Sequence, residues 1–157
     1  MARAKLESSI QHSFRSVMMS KKPEILMWSK LRRIMGGSWL ATRHEDRLNL
    51  GVPDVSYTIK NTNGWIEMKQ IEKWPAKSTT PIKIKHFTAQ QRQFLRTRAN
   101  CFLLLWVRSE NIWLLFIGKS ITPEFGVSLN RNQIEDTAAL ITQHPNNFTI
   151  TNVINPS

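Results

Sequence analysis

The sequence predicts an α/β domain built on a mixed sheet, and three observations predict it. PEILMWSKLRRIMGG carries apolar residues at helical spacing, the strand-like stretches after it are joined by short polar turns, and FLLLWV is apolar on both parities, as a strand covered on both faces must be. Strands interleaved with helical patterns give α/β architecture. At 157 residues the chain is the size of one domain. Its 41% hydrophobic and 21% charged residues exclude wholesale disorder, collagen and coiled coil.

Residues 1–22 read as a basic, weakly amphipathic lead-in, helical or loose. The first helix starts near Pro23, presents Met27, Trp28, Leu31, Ile34 and Met35, and stops at Gly36 and Gly37. Glu24 falls on the stripe of Trp28, Leu31 and Met35, either as an acid aimed toward the core side or as a first-turn partner of the helix dipole. SWLATR (38–43) follows as a short strand, then the polar loop RHEDRLNLG, in which Glu45 and Asp46 read as solvated. Val55 to Lys60 and GWIEMK form an antiparallel hairpin across NTNG, where Asn and Gly tolerate positive φ. This pairing sets Asp54 to Tyr57 opposite about Ile66 to Lys69. After a Lys- and Pro-containing connection, TAQQRQFLRTRA reads as a helix capped by Thr88, followed by strands FLLLWV and IWLLFIG. The tail predicts a helix within 130–143, with Ile134, Ala138 and Ile141 or Leu140 as its stripe, and a last strand, FTITNVI. Trp28, Trp106 and Trp113 sit in apolar patterns and are expected in the core.

The formal net charge of +11 points to a polyanionic partner, nucleic acid first, with a generally basic protein as the plain alternative. Residues 60–98 hold nine Lys or Arg and two Glu, a net +7. Cys101 is the single cysteine, so no intrachain disulfide forms and a reducing interior suits the chain. MARAKLESSIQ lacks the apolar stretch of a secretory signal, and no apolar run approaches the roughly 18 residues a membrane span requires. The expectation is a cytoplasmic protein with no membrane partner.

Within GWIEMK, side-chain alternation sets Trp65, Glu67 and Lys69 on one face and Ile66 and Met68 on the other. Asp54 begins the neighbouring strand and converges on Glu67. Two close carboxylates repel unless one keeps a proton or a divalent cation neutralises both. Oxygen-only ligation favours Mg²⁺, with Mn²⁺ as a substitute. Lys69 beside such a site can assist a water nucleophile or steady charge on a phosphate. A surface ion-pair ladder is the plain alternative.

Pro53-Asp54, followed by Glu67-Met68-Lys69 on the adjoining strand, resembles the PD-(D/E)xK nuclease superfamily. Gly51-Val52-Pro53-Asp54 is similar to the GxPD form of its VRR-NUC and Holliday junction resolvase branches. Phe87-Thr88-Ala89-Gln90-Gln91 is similar to their helix opening, with Gln91 as the matching glutamine, and Glu24 matches the acid ahead of the PD strand. The resemblance covers roughly residues 23–118 and implies a restriction-endonuclease-like core, α-β-β-β-α-β, with residues 119–157 as C-terminal decoration. It implies a Mg²⁺-dependent endodeoxyribonuclease, with Glu24, Asp54, Glu67 and the Met68 carbonyl holding metal. Asp54, Glu67, Lys69 and Gln91 act in catalysis, Gln91 orienting Lys69 or the phosphate, and hydrolysis leaves a 5′-phosphate and a 3′-hydroxyl. It further implies selectivity for branched or junction DNA, a C2 homodimer with paired sites and a phage-type source, hence host cytoplasm. The connection from Lys69 to Thr88 is longer and more basic than in simpler resolvases, as a lid or DNA-contacting loop would be.

Arg43, His44, Lys73, Lys77, Lys83, Lys85, Arg92 and Arg96 are the candidate DNA contacts, with His44 as proton relay or phosphate ligand and Trp74 as a wedge or stacking platform; solvated cations, a plain loop histidine and a packed Trp are the alternative for each taken singly. The competing readings are a nicking, repair or restriction-type nuclease on linear duplex, and a non-catalytic basic DNA-binding module.

Overall fold

The computed structural model describes residues 23–45 and 51–154; the expectations for residues 1–22 and for Asp46 lie outside them. The chain runs α1 (Pro23–Met35), a 3-10 turn, β1 (Trp39–Arg43), β2 (Val55–Ile59), β3 (Thr62–Ile71), α2 (Ala89–Thr97), β4 (Cys101–Val107) and β5 (Ile112–Ile117). A second 3-10 turn, α3 (Arg131–Thr137), β6 (Leu140–Thr142) and α4 (Asn147–Ile154) complete it. The six strands form one sheet in the order β1-β2-β3-β4-β5-β6. Only β3 and β4 are parallel, joined by the crossover that contains α2; every other neighbour is antiparallel. The fold is therefore α/β with a mixed sheet flanked by helices.

Each face of the sheet carries its own core. On one, Met27, Leu31, Ile34 and Met35 of α1 pack with Val55, Tyr57, Ile59, Ile66 and Met68, and Ile150 and Ile154 of α4 join them. On the other, Leu95 of α2 packs with Leu103, Leu105, Leu114 and Phe116, beneath Trp74, Ile82, Ile84 and Phe87 of the connection and Ile121, Phe125 and Ile134 of the tail. Every residue of β4 is buried, as its two-parity apolar run requires.

Three expectations are corrected. The hairpin closes at Lys60 and Asn61, two residues earlier than NTNG suggested, with Lys60 at φ 52°. Val55 consequently lies opposite Ile66 and Tyr57 opposite Gly64. The slip is an even number of residues, so every side chain keeps its predicted face. Gly64 sits inside β3 because a Cβ there would collide with the Asn100 carbonyl and the Tyr57 hydroxyl. In the tail, the helix expected across 130–143 ends at Thr137, and Leu140–Thr142 pairs with β5 instead. FTITNVI is helical, not a strand. Asn146 accepts the Thr149 backbone N–H at 2.8 Å, as an N-cap does, and Ile150 and Ile154, one turn apart, are both buried.

The connection after β3 is held down rather than free. Ile82 N–H donates to the Leu129 carbonyl and Ile84 N–H to the Gly126 carbonyl, both at 2.9 Å. With Trp74, Ile82, Ile84 and Phe87 buried, this stretch is part of the second core, not a loose lid. Among the described residues no helix is long and apolar enough to cross a membrane.

Candidate active site

The hairpin and the crossover bring four of the predicted residues together. Asp54 immediately precedes β2, and its Oδ2 accepts the Met68 backbone N–H at 2.9 Å, tying its carboxylate to the middle of β3. Glu67, on the face covered by α2, is 0% exposed. Its Oε1 receives Lys69 Nζ and Gln91 Nε2, each at 2.8 Å. Its Oε2 is buried without a hydrogen-bond partner.

Gln91 reaches the site through the start of α2. Thr88 and Gln91 form a capping box in which Gln91 Oε1 accepts the Thr88 N–H and Thr88 Oγ1 accepts the Gln91 N–H. The amide oxygen is thus fixed on the cap, which aims its NH₂ at Glu67. Gln91 donates to the glutamate, a partner that the sequence expectation of Lys69 or the phosphate did not include. Lys69 has a second anchor, the His86 carbonyl at 2.9 Å, presented by a His86 backbone at φ 59°. A non-glycine residue in that region is held there by its surroundings. Sequence pattern missed His86 because it acts through its main chain.

Both carboxyls resist ionisation. Glu67 is pushed up to about 8, mainly by burial and next by the charge of Asp54, with Lys69 pulling the other way. Asp54 is also raised by burial, against the Met68 N–H and Lys69, which favour its anion. Asp54 and Lys69 line a cleft of about 500 Å³ together with Glu24, Lys85, His86 and Arg108. Glu67 stands behind that cleft.

Glu24 is peripheral. Its side chain is 67% exposed and approaches Arg43 at 4.0 Å, although its charge is felt at Asp54. Met68 enters through its backbone, its side chain lying in the opposite core. Among the described residues no three His, Cys, Asp or Glu side chains cluster closely enough to hold a metal by themselves. The donor set that remains is the Asp54 carboxylate and the unpartnered Glu67 oxygen, with main-chain carbonyl and water oxygens left to complete a shell. All are hard ligands, and two carboxyls raised by burial, Glu67 further by the charge of Asp54 and Asp54 by that of Glu24, are what a divalent cation relieves. The residues fit Mg²⁺ or Mn²⁺.

The candidate DNA contacts divide. Lys73, Lys77, Lys83 and Lys85 are exposed. Arg43 lies between Glu24 and Glu45, and His44 bonds Ser56 Oγ at 2.8 Å. Arg96 is half-buried, with Nη1 3.4 Å from the Ile121 carbonyl. Arg92 is corrected: it is 9% exposed, donates to the Phe87 carbonyl at 2.6 Å and lies over the Phe87 ring, so it braces the start of α2 and is not offered to phosphate. Trp74 is buried beneath the Arg131 guanidinium and cannot wedge between bases.

Neither a family model nor a curated protein matches the chain. The functional reading rests on the site's own chemistry.

Proposed function

We propose that the chain is a Mg²⁺-dependent endonuclease that hydrolyses DNA phosphodiesters, acting on branched DNA in the manner of the junction resolvases it resembles. The observation that carries this reading is the convergence of Asp54, Glu67, Lys69 and Gln91, with one Glu67 oxygen left unpartnered in a buried position. The helix-strand-strand-strand-helix-strand order of residues 23–107, with β3 and β4 parallel, also supports it, since a restriction-endonuclease-like core has that order.

Asp54 and Glu67 would hold the ion, with the Met68 carbonyl and Glu24 through water as further oxygens. Bound Mg²⁺ supplies charge to the phosphate and acidity to a water. The chain's own groups do the rest. Gln91 keeps Glu67 in one rotamer, and the His86 carbonyl keeps the Lys69 ammonium at the cleft. That ammonium can donate to a non-bridging oxygen of the phosphate whose phosphorus is attacked, or hold a water in line. Lys85 at the rim favours a polyanion there, while Arg108 is paired with Glu72 of the same rim at 3.0 Å. Cutting two strands near one branch point calls for a C2 homodimer.

Digestion of a four-way junction and of its separate duplex arms with Mg²⁺ tests the reading. Junction cleavage that is lost in the Glu67→Ala/Lys69→Ala protein supports it, and cleavage that survives both substitutions refutes it. Equal rates on the arms would favour a nuclease of linear duplex. A non-catalytic binding module is the second reading, favoured by the lack of a three-acid cluster among the described residues; such a module needs no metal at Asp54.

A further inference from the structure

A second cleft lies on the same sheet face as Glu67 and Lys69, one step back along β3. It has a volume of about 380 Å³ and is bordered by Ser56, Asn63, Trp65 and Arg98. Trp65 is half-buried there, and rings frame it on two sides: His44 at 5.3 Å between centroids and Phe94 edge-on at 5.7 Å. Arg98 is exposed and lies flat enough over Phe94 to bring its guanidinium carbon within 4.2 Å of the ring centroid. Among the described residues Arg98 is the only charged one bordering the cleft, and no described acid borders it.

Two connections fix this cleft against the candidate active site. Trp65 and Glu67 are two residues apart on one strand face, about 7 Å along β3. Phe94 and Gln91 are three residues apart on α2, so they share a face of that helix. The aromatic cleft and the buried glutamate are therefore carried by the same two elements, a distance of about two base-pair rises apart. A half-buried tryptophan beside a lone guanidinium matches a nucleobase and its phosphate: every base has a face to stack, and an arginine on an aromatic ring still presents its donors outward. A base paired inside a duplex has no free face to offer.

We propose that this cleft takes one unpaired nucleotide flanking the cut phosphate, its base against Trp65 and its phosphate at Arg98. The proposal rests on the nuclease reading and names its substrate class: DNA that can release a nucleotide beside the cut, at a branch, a flap or a bulge. Branch selectivity then has a local cause on each protomer, independent of how two copies would span a junction.

Binding without Mg²⁺ tests this apart from catalysis. The full chain is titrated, in EDTA, onto a duplex carrying one unpaired 2-aminopurine, onto the same duplex with an abasic residue at that position, and onto the fully paired duplex. The expected result is quenched 2-aminopurine emission and a preference for the unpaired base over the abasic site of about tenfold, the size of one stacking contact. The preference should collapse in Trp65→Ala, with Trp65→Phe retaining most of it, while Arg98→Ala should weaken binding of the unpaired and the abasic DNA alike. Arg98 is exposed, so its variant keeps the test open if Trp65→Ala does not fold. Equal affinity for the unpaired and abasic DNAs, unquenched emission on binding, or an affinity for the unpaired DNA that Arg98→Ala leaves unchanged overturns the proposal. Failure of the nuclease reading would appear in digestion and leave this binding result intact.

Discussion

Replacing Glu67 by Gln should make the metal-free protein more stable at neutral pH, although it removes a carboxyl whose oxygen lies 2.8 Å from Lys69. The buried carboxyl is raised from 4.5 to about 8. Between those values the folded state holds a proton that the unfolded chain has released, so stability falls as pH rises, by about 1.4 kcal/mol per unit. The contribution is fully present below the unfolded value and is lost as pH climbs through the folded one. Gln cannot ionise, yet its amide oxygen can still accept from Lys69 and Gln91. From pH 5 to 7.5 the difference in unfolding free energy should therefore move in favour of the Gln protein by about 3 kcal/mol. Urea melts of both proteins in EDTA at half-unit pH steps measure it, and contributions common to both, Asp54 among them, largely cancel. A difference that stays flat across this range, or that favours Glu67 increasingly toward neutrality, would refute the claim that burial and Asp54 together oppose its charge.

Gln91→Ala removes both the capping box and the Glu67 donor, and thermal melts should register a loss of about 1–2 kcal/mol. Arg92→Ala, which strips a buried guanidinium from the Phe87 carbonyl, should cost about 1–3 kcal/mol in urea unfolding. Lys83→Ala should leave stability within about 0.5 kcal/mol and instead reduce the salt slope of DNA binding by about one counterion, read from titrations at several salt concentrations. Gly64→Ala should lower unfolding free energy by about 1–3 kcal/mol, because the Asn100 main chain and the Tyr57 ring leave no room for a methyl group.

Strand periodicity alone assigned Trp65, Glu67 and Lys69 to one face, and that assignment withstands the shifted hairpin because the shift is even. The position of the turn was less legible. NTNG has the composition of a turn, but packing of Gly64 against Tyr57 and Asn100 decides where the chain reverses. Gln91 was legible as a site residue only through the resemblance of Phe87–Gln91 to a nuclease helix opening, whereas its target depended on tertiary geometry. The anchoring of Lys69 by the His86 carbonyl had no signal, since any residue type presents a carbonyl. Arg92 and Trp74 were taken for surface groups because composition carries no information on which side of a connection faces the core. FTITNVI misled through its β-branched residues; the 3.6-residue spacing of Ile150 and Ile154 and the Asn146 cap were present in the same letters and outweighed propensity.

The central claim is that Asp54 and Glu67 are held together for a divalent cation. Calorimetric titration of Mg²⁺ and Mn²⁺ into the DNA-free chain near pH 7, repeated in buffers of different ionisation enthalpy, tests it most directly. Saturable binding that releases protons is expected, because the raised Glu67 carboxyl must ionise to become a ligand, and that binding should be lost in Asp54→Asn. Binding of the same affinity in Asp54→Asn, or no saturable binding to the native chain by either ion, would contradict it.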